Sequence, residues 1–196
     1  MKTASKDREQ SDSNIASNKQ LSVEIFSFAT RYGPLEWDNK SNMLLWLESN
    51  RSIQKLCAFD PQSSKIDIVE DNKKIKAAIG YGGGDFNIAN GNVVYSEAST
   101  SKLYQINLLT KSRIQLTPKA GQTASPKPSP TTPWVMYINR DDEERDCLAV
   151  VQADGKQWPQ ILNADFDFYR NSLAGTQTEC KLLCCLESST YAVDKL

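Results

Sequence analysis

The sequence predicts an all-β fold made of about three repeating antiparallel sheets. Three observations carry that reading. Short runs of β-branched and aromatic residues alternate with turn residues, and helical spacing of apolar residues is almost absent. The runs also recur every ~40–50 residues, the length of one four-stranded sheet.

The repeats can be written out. The first contains MLLWLES, KLCAFD and KIDIVE; the second NVVYSEA, KLYQIN and RIQLTP; the third WVMYIN, DCLAVVQ and QWPQIL. Aligning Trp46, Tyr95 and Tyr137 sets the units 49 and 42 residues apart. Leu56, Leu103 and Leu148 then fall in register, as do Phe59, Ile106 and Val151. Asp60-Pro61 and Asp154-Gly155 supply turns, because proline presets φ and glycine reaches positive φ. The period fits propeller blades, and evenly spaced strands also suit a β-sandwich, so the pattern by itself leaves both open. Three units are fewer than the ~4–8 blades that close a propeller, so a propeller built from them is partial. Its unpaired faces and edges are expected to favour association.

Composition narrows the function classes. A chain of 196 residues, 39% hydrophobic, has enough apolar material for one core. Its 23 basic and 24 acidic residues leave a net charge of −1, so nothing in the charge balance calls for nucleic acid or an anionic membrane as partner. No stretch approaches the ~18 apolar residues of a membrane span. There is no histidine, which excludes Ser-His-Asp and Cys-His nucleophilic machinery and any histidine-bearing zinc site within this chain. Residues 1–20 are polar and aperiodic and are expected to be disordered. They hold no apolar leader and carry Asp7, Glu9 and Asp12, which points to the cytoplasm and to unused sequons at Asn39 and Asn50. Cys57 and Cys147 sit singly in apolar runs and read as buried thiols. Cys180, Cys184 and Cys185 lack the paired spacing of a zinc site, and a disulfide framework would want a secretory setting.

Gly80 to Asp85 reads G-Y-G-G-G-D, but Asp85 stands where a dinucleotide fingerprint needs glycine, and the strand FNIAN follows in place of a helix. A sharp loop between sheets, with backbone at positive φ or closely packed, is the better reading. Asn163, Asp165 and Asp167 alternate like a calcium loop, yet Phe168 stands where that loop needs glycine, so a strand edge fits as well. Asp141 to Asp146 is expected to form a solvated hairpin loop, and Ala124 to Pro130 a proline-rich approach to WVMYIN. No G-x-S-x-G elbow is present. The expectation is therefore no catalytic residue, no cofactor and no metal ligand.

With these residues in view, the chain resembles the N-terminal propeller of prolyl-oligopeptidase-family serine peptidases, of the dipeptidyl aminopeptidase/acylaminoacyl-peptidase type. Tyr81, Gly82, Gly83 and Gly84, followed by Phe86 and an Asn-Gly turn, form the most specific element. Trp158-Pro159 and Asp167-Phe168-Tyr169 continue it, within a match spanning roughly residues 32–171. Many members carry an acidic residue where this chain has Gly80, which assigns it to a subgroup. The resemblance implies a non-catalytic propeller covering a C-terminal α/β-hydrolase domain and admitting short peptides. The triad belongs to that domain, so no catalytic residue carries over. The alternative is a free-standing interaction scaffold of the WD-repeat or TolB-like kind.

These readings divide the chain into a disordered head (1–20), a partial propeller (21–171) and a tail (172–196). The resemblance stops at Asn171, where the family continues with a Trp-x-Pro-Asp-Gly turn and a His-Pro, Met-Pro-Trp stretch. Codons for Cys185 to Lys195, re-read one base later, permit alanine, tryptophan, asparagine, histidine, proline, histidine, methionine, proline, tryptophan, threonine and asparagine in that order. Codons for Ser172 to Cys180, re-read two bases later, permit the missing turn. The tail is therefore expected to be out of frame. Sequencing the coding DNA checks this: both shifted frames should read through into the family stretch, and stop codons there would refute it.

Overall fold

A computed structural model describes residues 29–50, 54–71, 73–77, 79, 84–118 and 121–164, and the backbone of 168–173 and 183–187. The expected head at 1–20 lies outside these residues. All the regular structure described is β. Strands β1 (Arg31–Asp38), β2 (Met43–Ser49), β3 (Gln54–Asp60) and β4 (Lys65–Asp71) form one antiparallel sheet in sequence order. A second follows with β5 (Phe86–Ala89), β6 (Asn92–Glu97), β7 (Lys102–Asn107) and β8 (Arg113–Gln115). The third holds β9 (Gln122–Pro128), β10 (Trp134–Arg140), β11 (Asp146–Gln152) and β12 (Gln160–Asn163). β13 (Phe168–Leu173) pairs with β14 (Leu183–Glu187), which lies wholly within 172–196.

The register explains why the sequence repeats. Trp46, Tyr95 and Tyr137 pair with Cys57, Tyr104 and Ala149 on the third strand of their sheets. Leu56, Leu103 and Leu148 pair with Leu47, Ser96 and Ile138, one position further along. Because side chains alternate across a strand, the aromatic position and the leucine position lie on opposite faces. Each sheet thus has a leading and a trailing face, and successive sheets stack leading face to trailing face. Leu45, Leu47, Leu56 and Ala58 of the first sheet pack with Phe86, Ile88, Val93, Tyr95, Tyr104 and Ile106 of the second. Val94 and Leu103 of the second pack with Val135, Tyr137, Ala149 and Val151 of the third. The four-stranded meanders stacked in this way are blades of a partial β-propeller.

The trailing face of the first blade shows what the others cover. Register puts Leu35, Trp37, Leu44, Trp46, Cys57, Phe59, Ile66 and Ile68 on it. Leu35 is 66% exposed and Ile66 63%, and no described sheet lies against them. Tyr95 and Tyr137, at the position of Trp46, are buried.

Each blade begins with its inner strand and ends with its outer one. β5 lies beside both β1 and β9, and β13 lies against the third blade. β4, β8 and β12 are the exposed outer edges. The stretch read as a proline-rich approach to β10 is in fact the inner strand β9. It pairs with β10 alone, so Pro126 and Pro128 need donate nothing on the axial side. A register shift between Met136 and Ile138 accompanies a positive φ at Ser125. Asn90-Gly91 turns with both φ values positive, as a two-residue hairpin requires. Gly155, in the predicted Asp154-Gly155 turn, also has positive φ, and a side chain there would collide with the Gln115 carbonyl of the neighbouring blade.

Polar groups tie the blades. Arg113 on β8 donates from Nε to Tyr95 Oη at 2.7 Å and pairs through Nη2 with buried Glu97 at 2.8 Å. Its guanidinium stacks 3.6 Å from the centroid of the Tyr104 ring. Tyr95 Oη donates to Glu70 of the first blade at 3.2 Å, so the cluster spans the interface. Burial pushes the Tyr95 phenol well above its ordinary range. In the third blade, Asp141 to Arg145 form the expected exposed loop, but Asp146 begins β11 and is buried. Arg140 Nε donates to its Oδ1 at 2.7 Å, while Oδ2 has no hydrogen-bond partner among the described residues. Burial raises the Asp146 carboxyl from 3.8 to about 6. Cys57 and Cys147 are buried free thiols, each raised by burial, as the sequence predicts.

Two predictions follow from these contacts. Burial raises the Asp146 carboxyl while the Arg140 guanidinium 2.7 Å away opposes that rise; with burial prevailing, the stability it contributes is complete below pH 3.8 and is lost as pH rises through about 6. Denaturant titrations should show stability falling across that window, and Asp146→Asn should flatten the fall. Gly121 has a φ of +87°, and a Cβ there would collide with the Arg140 carbonyl. Gly121→Ala should cost roughly 2–5 kcal/mol in the same titrations, from backbone strain plus overpacking.

Candidate functional site

The inner strands and the turns that follow them frame an open groove at the propeller axis. Its geometry starts with Asp38, the last residue of β1, which is buried. Asp38 Oδ1 accepts from the Asn90 backbone N–H at 3.1 Å. Its Oδ2 accepts from Gly91 at 2.7 Å and from Ser41 at 3.0 Å. Burial opposes ionisation of this carboxyl, but the bonds from Ser41, Gly91 and Lys40 prevail and hold it below its ordinary value. The first-blade turn is thereby fastened to the second-blade turn. Asn90 Nδ2 in turn donates to the Pro130 carbonyl at 2.8 Å, which fastens the second turn to the third. Three hairpin ends form one linked rim.

Inside the rim lies a cavity of about 610 Å³. Trp37, Ile88, Ala89, Pro128 and Pro130 give it apolar walls, and Lys40, Lys127 and Asn87 give it polar groups. Asn87 is on β5 and only 9% exposed. Its side chain has no hydrogen-bond partner among the described residues. Lys40 and Lys127 have no carboxylate partner there either, and Asp38 is occupied by three backbone donors.

The residues that carry the sequence resemblance do not gather into one site. Tyr81, Gly82, Gly83 and Asp167 lie outside the described residues, as do Gly80 and Asp165. Phe168 and Tyr169 fall in β13. Gly84 joins the second blade to the third: its N–H donates to Ser125 Oγ at 3.0 Å and its carbonyl accepts from Ser125 N–H at 2.9 Å. A Cβ at Gly84 would make only ordinary contacts with Phe86 and Ser125, so neither crowding nor positive φ demands glycine at that end of the run. Phe86 is buried between the first two blades. Trp158 is 75% exposed beside Pro159, near the outer turn that packs on Gln115 and Leu116. Asn163 closes β12.

A second hollow of about 500 Å³ lies beside Ser101, Gly121, Gln122, Arg140 and the acidic loop Asp141–Glu144. Asp141 is held below its ordinary value by backbone and side-chain bonds from Arg145, so this loop is a self-paired hairpin. Among the described residues no group of three or more His, Cys, Asp or Glu could hold a metal. No described helix is long and apolar enough to cross a membrane.

Comparison with known proteins supports the fold. No protein-family model matches the chain, and no curated protein matches it. Solved structures do. A Mycobacterium tuberculosis puromycin-hydrolyzing peptidase superposes with a TM-score of 0.61 at 15% identity, over 75% of this chain and 26% of that one. TolB from Acinetobacter baumannii gives 0.58 at 11% identity, over 73% of this chain and 35% of that one. A chain of a nidogen/laminin complex gives 0.53 at 9% identity, over 70% and 49%. This chain thus spans about a quarter of the peptidase and about a third of TolB, and at these identities the likeness is one of fold.

Proposed function

We propose that this chain is the non-catalytic propeller portion of a serine peptidase of the dipeptidyl aminopeptidase/acylaminoacyl-peptidase type, acting on short peptides in the cytoplasm. Its partner is an α/β-hydrolase domain supplied by another segment of the full-length protein. The observation that carries the reading is the linked rim around an axial groove. Asp38 and Asn90, through their side chains, fix the hairpin ends of three blades to one another and so hold this part of the aperture. A fixed aperture excludes folded chains and bulk water from a covered site while admitting short peptides. The sequence motifs at Tyr81 to Phe86 and the fold likeness to the puromycin-hydrolyzing peptidase support the same reading. The absence of histidine agrees with chemistry residing elsewhere. The open trailing face of the first blade supports the presence of further blades, because the equivalent faces of the second and third are covered by a neighbour.

The likeness to TolB favours the second reading, a free-standing interaction scaffold. Extending the gene separates the two. The peptidase reading expects a downstream α/β-hydrolase with a nucleophile elbow, and a full-length product that cleaves short peptide p-nitroanilides and is labelled by a fluorophosphonate. Closing blades followed by a stop codon, with neither cleavage nor labelling, would establish the scaffold instead.

A further inference from the structure

We propose that the axial groove binds the free α-carboxylate of a short peptide. Lys127 and Lys40 serve as its charge partners, Asn87 as a hydrogen-bond partner, and Trp37 as an apolar wall for the adjoining side chain. The inference rests on the groove being a peptide passage, and it adds which end of the peptide is held.

Four observations lead to it. First, Asn87 on the inner strand β5, only 9% exposed as a residue, lines the cavity and makes no side-chain hydrogen bond among the described residues. Its amide is left free to meet water or a ligand. Second, the lining carries two lysines and one aspartate, and the aspartate is occupied by the backbone N–H groups of Ser41, Asn90 and Gly91. Among the described residues the lining therefore carries one net positive charge, which matches a monoanion better than a polyanion. It also repels an α-ammonium, so the carboxyl end is favoured over the amino end. Third, Trp37 lines the groove together with Ile88, Ala89 and Pro128, which suits an organic anion with an apolar body. Fourth, about 610 Å³ is within the range of small-ligand sites and accommodates a few residues of peptide.

The polarity has a consequence. A peptide held by its carboxyl end leaves its amino end free to lead onward, which is the orientation an aminopeptidase uses. Lys40 is exposed and Lys127 half-buried, and Asp38 is the one carboxylate among the described lining residues.

Surface plasmon resonance with the whole chain immobilised tests the proposal by binding alone. The probes are the tripeptide Ala-Ala-Phe with a free carboxylate, the same tripeptide as its C-terminal amide, and inorganic phosphate. The free acid should bind about tenfold more tightly than the amide, the size of one charge-assisted contact. Lys127→Gln should abolish that preference, Lys127→Arg should retain it, and Asn87→Leu should weaken the free acid selectively. Circular dichroism of each variant checks that the blades remain folded, and Lys40→Gln provides a second charge variant on an exposed turn. Equal binding of acid and amide, or a preference that survives Lys127→Gln in a folded variant, would overturn the proposal. Phosphate competing as well as the free acid would overturn the peptide assignment and leave a general anion site. Intact carboxylate selectivity in a full-length protein that cleaves nothing would remove the peptidase reading alone.

Discussion

The stacking of one blade's leucine-bearing face on the next blade's aromatic-bearing face is the interaction on which this structure depends. A four-stranded sheet of this size has two apolar faces and cannot bury either by itself. Leu56 and Leu103 each reach forward to the following blade, and Tyr95 and Tyr137 reach back to the preceding one. Burial of such side chains contributes roughly 1.5–3 kcal/mol each, so an interface of this kind outweighs any single polar contact in the fold. The stacking also sets the positions of the inner strands, and through them the axis. Everything at the groove is a consequence of that placement.

Polar clamps then make the stacking specific. The Arg113 cluster joins Glu70 of the first blade to Tyr95 and Glu97 of the second, with the Tyr104 ring beneath the guanidinium. Asp38 does comparable work at the axis, where one carboxylate satisfies three backbone donors in two turns. Each clamp lies at an interface whose apolar part is already closed, so it fixes orientation more than it adds cohesion.

Much of the fold was legible in the sequence. The alignment on Trp46, Tyr95 and Tyr137 corresponds to equivalent strand positions, and the leucines aligned with it pair one step along in all three blades. This was readable because the second and third strands of a blade are apolar on alternating faces, which leaves a strong periodic signal. The inner strands were harder to read. β9 contains Pro126 and Pro128, which ordinarily argue against a strand, and is possible only because its axial edge pairs with nothing in the blade. Asp146 was read with a solvated acidic loop, and only the fold buries it beneath Arg140. The groove was not legible at all. Asp38 and Asn90 are 52 residues apart, Lys127 lies in a third blade, and no local motif announces that the three share an axis.

The central claim is that the blades hold one another and do not fold as independent sheets. Amide hydrogen exchange on a Leu103→Ala variant tests it most directly. Leu103 belongs to the second blade and is fully buried against Val135, Tyr137, Ala149 and Val151 of the third. Removing it should cost about 2–5 kcal/mol. Protection should then fall in β10 and β11 of the third blade together with β6 and β7 of the second. Loss confined to β6 and β7, with β10 and β11 unchanged, would contradict the account.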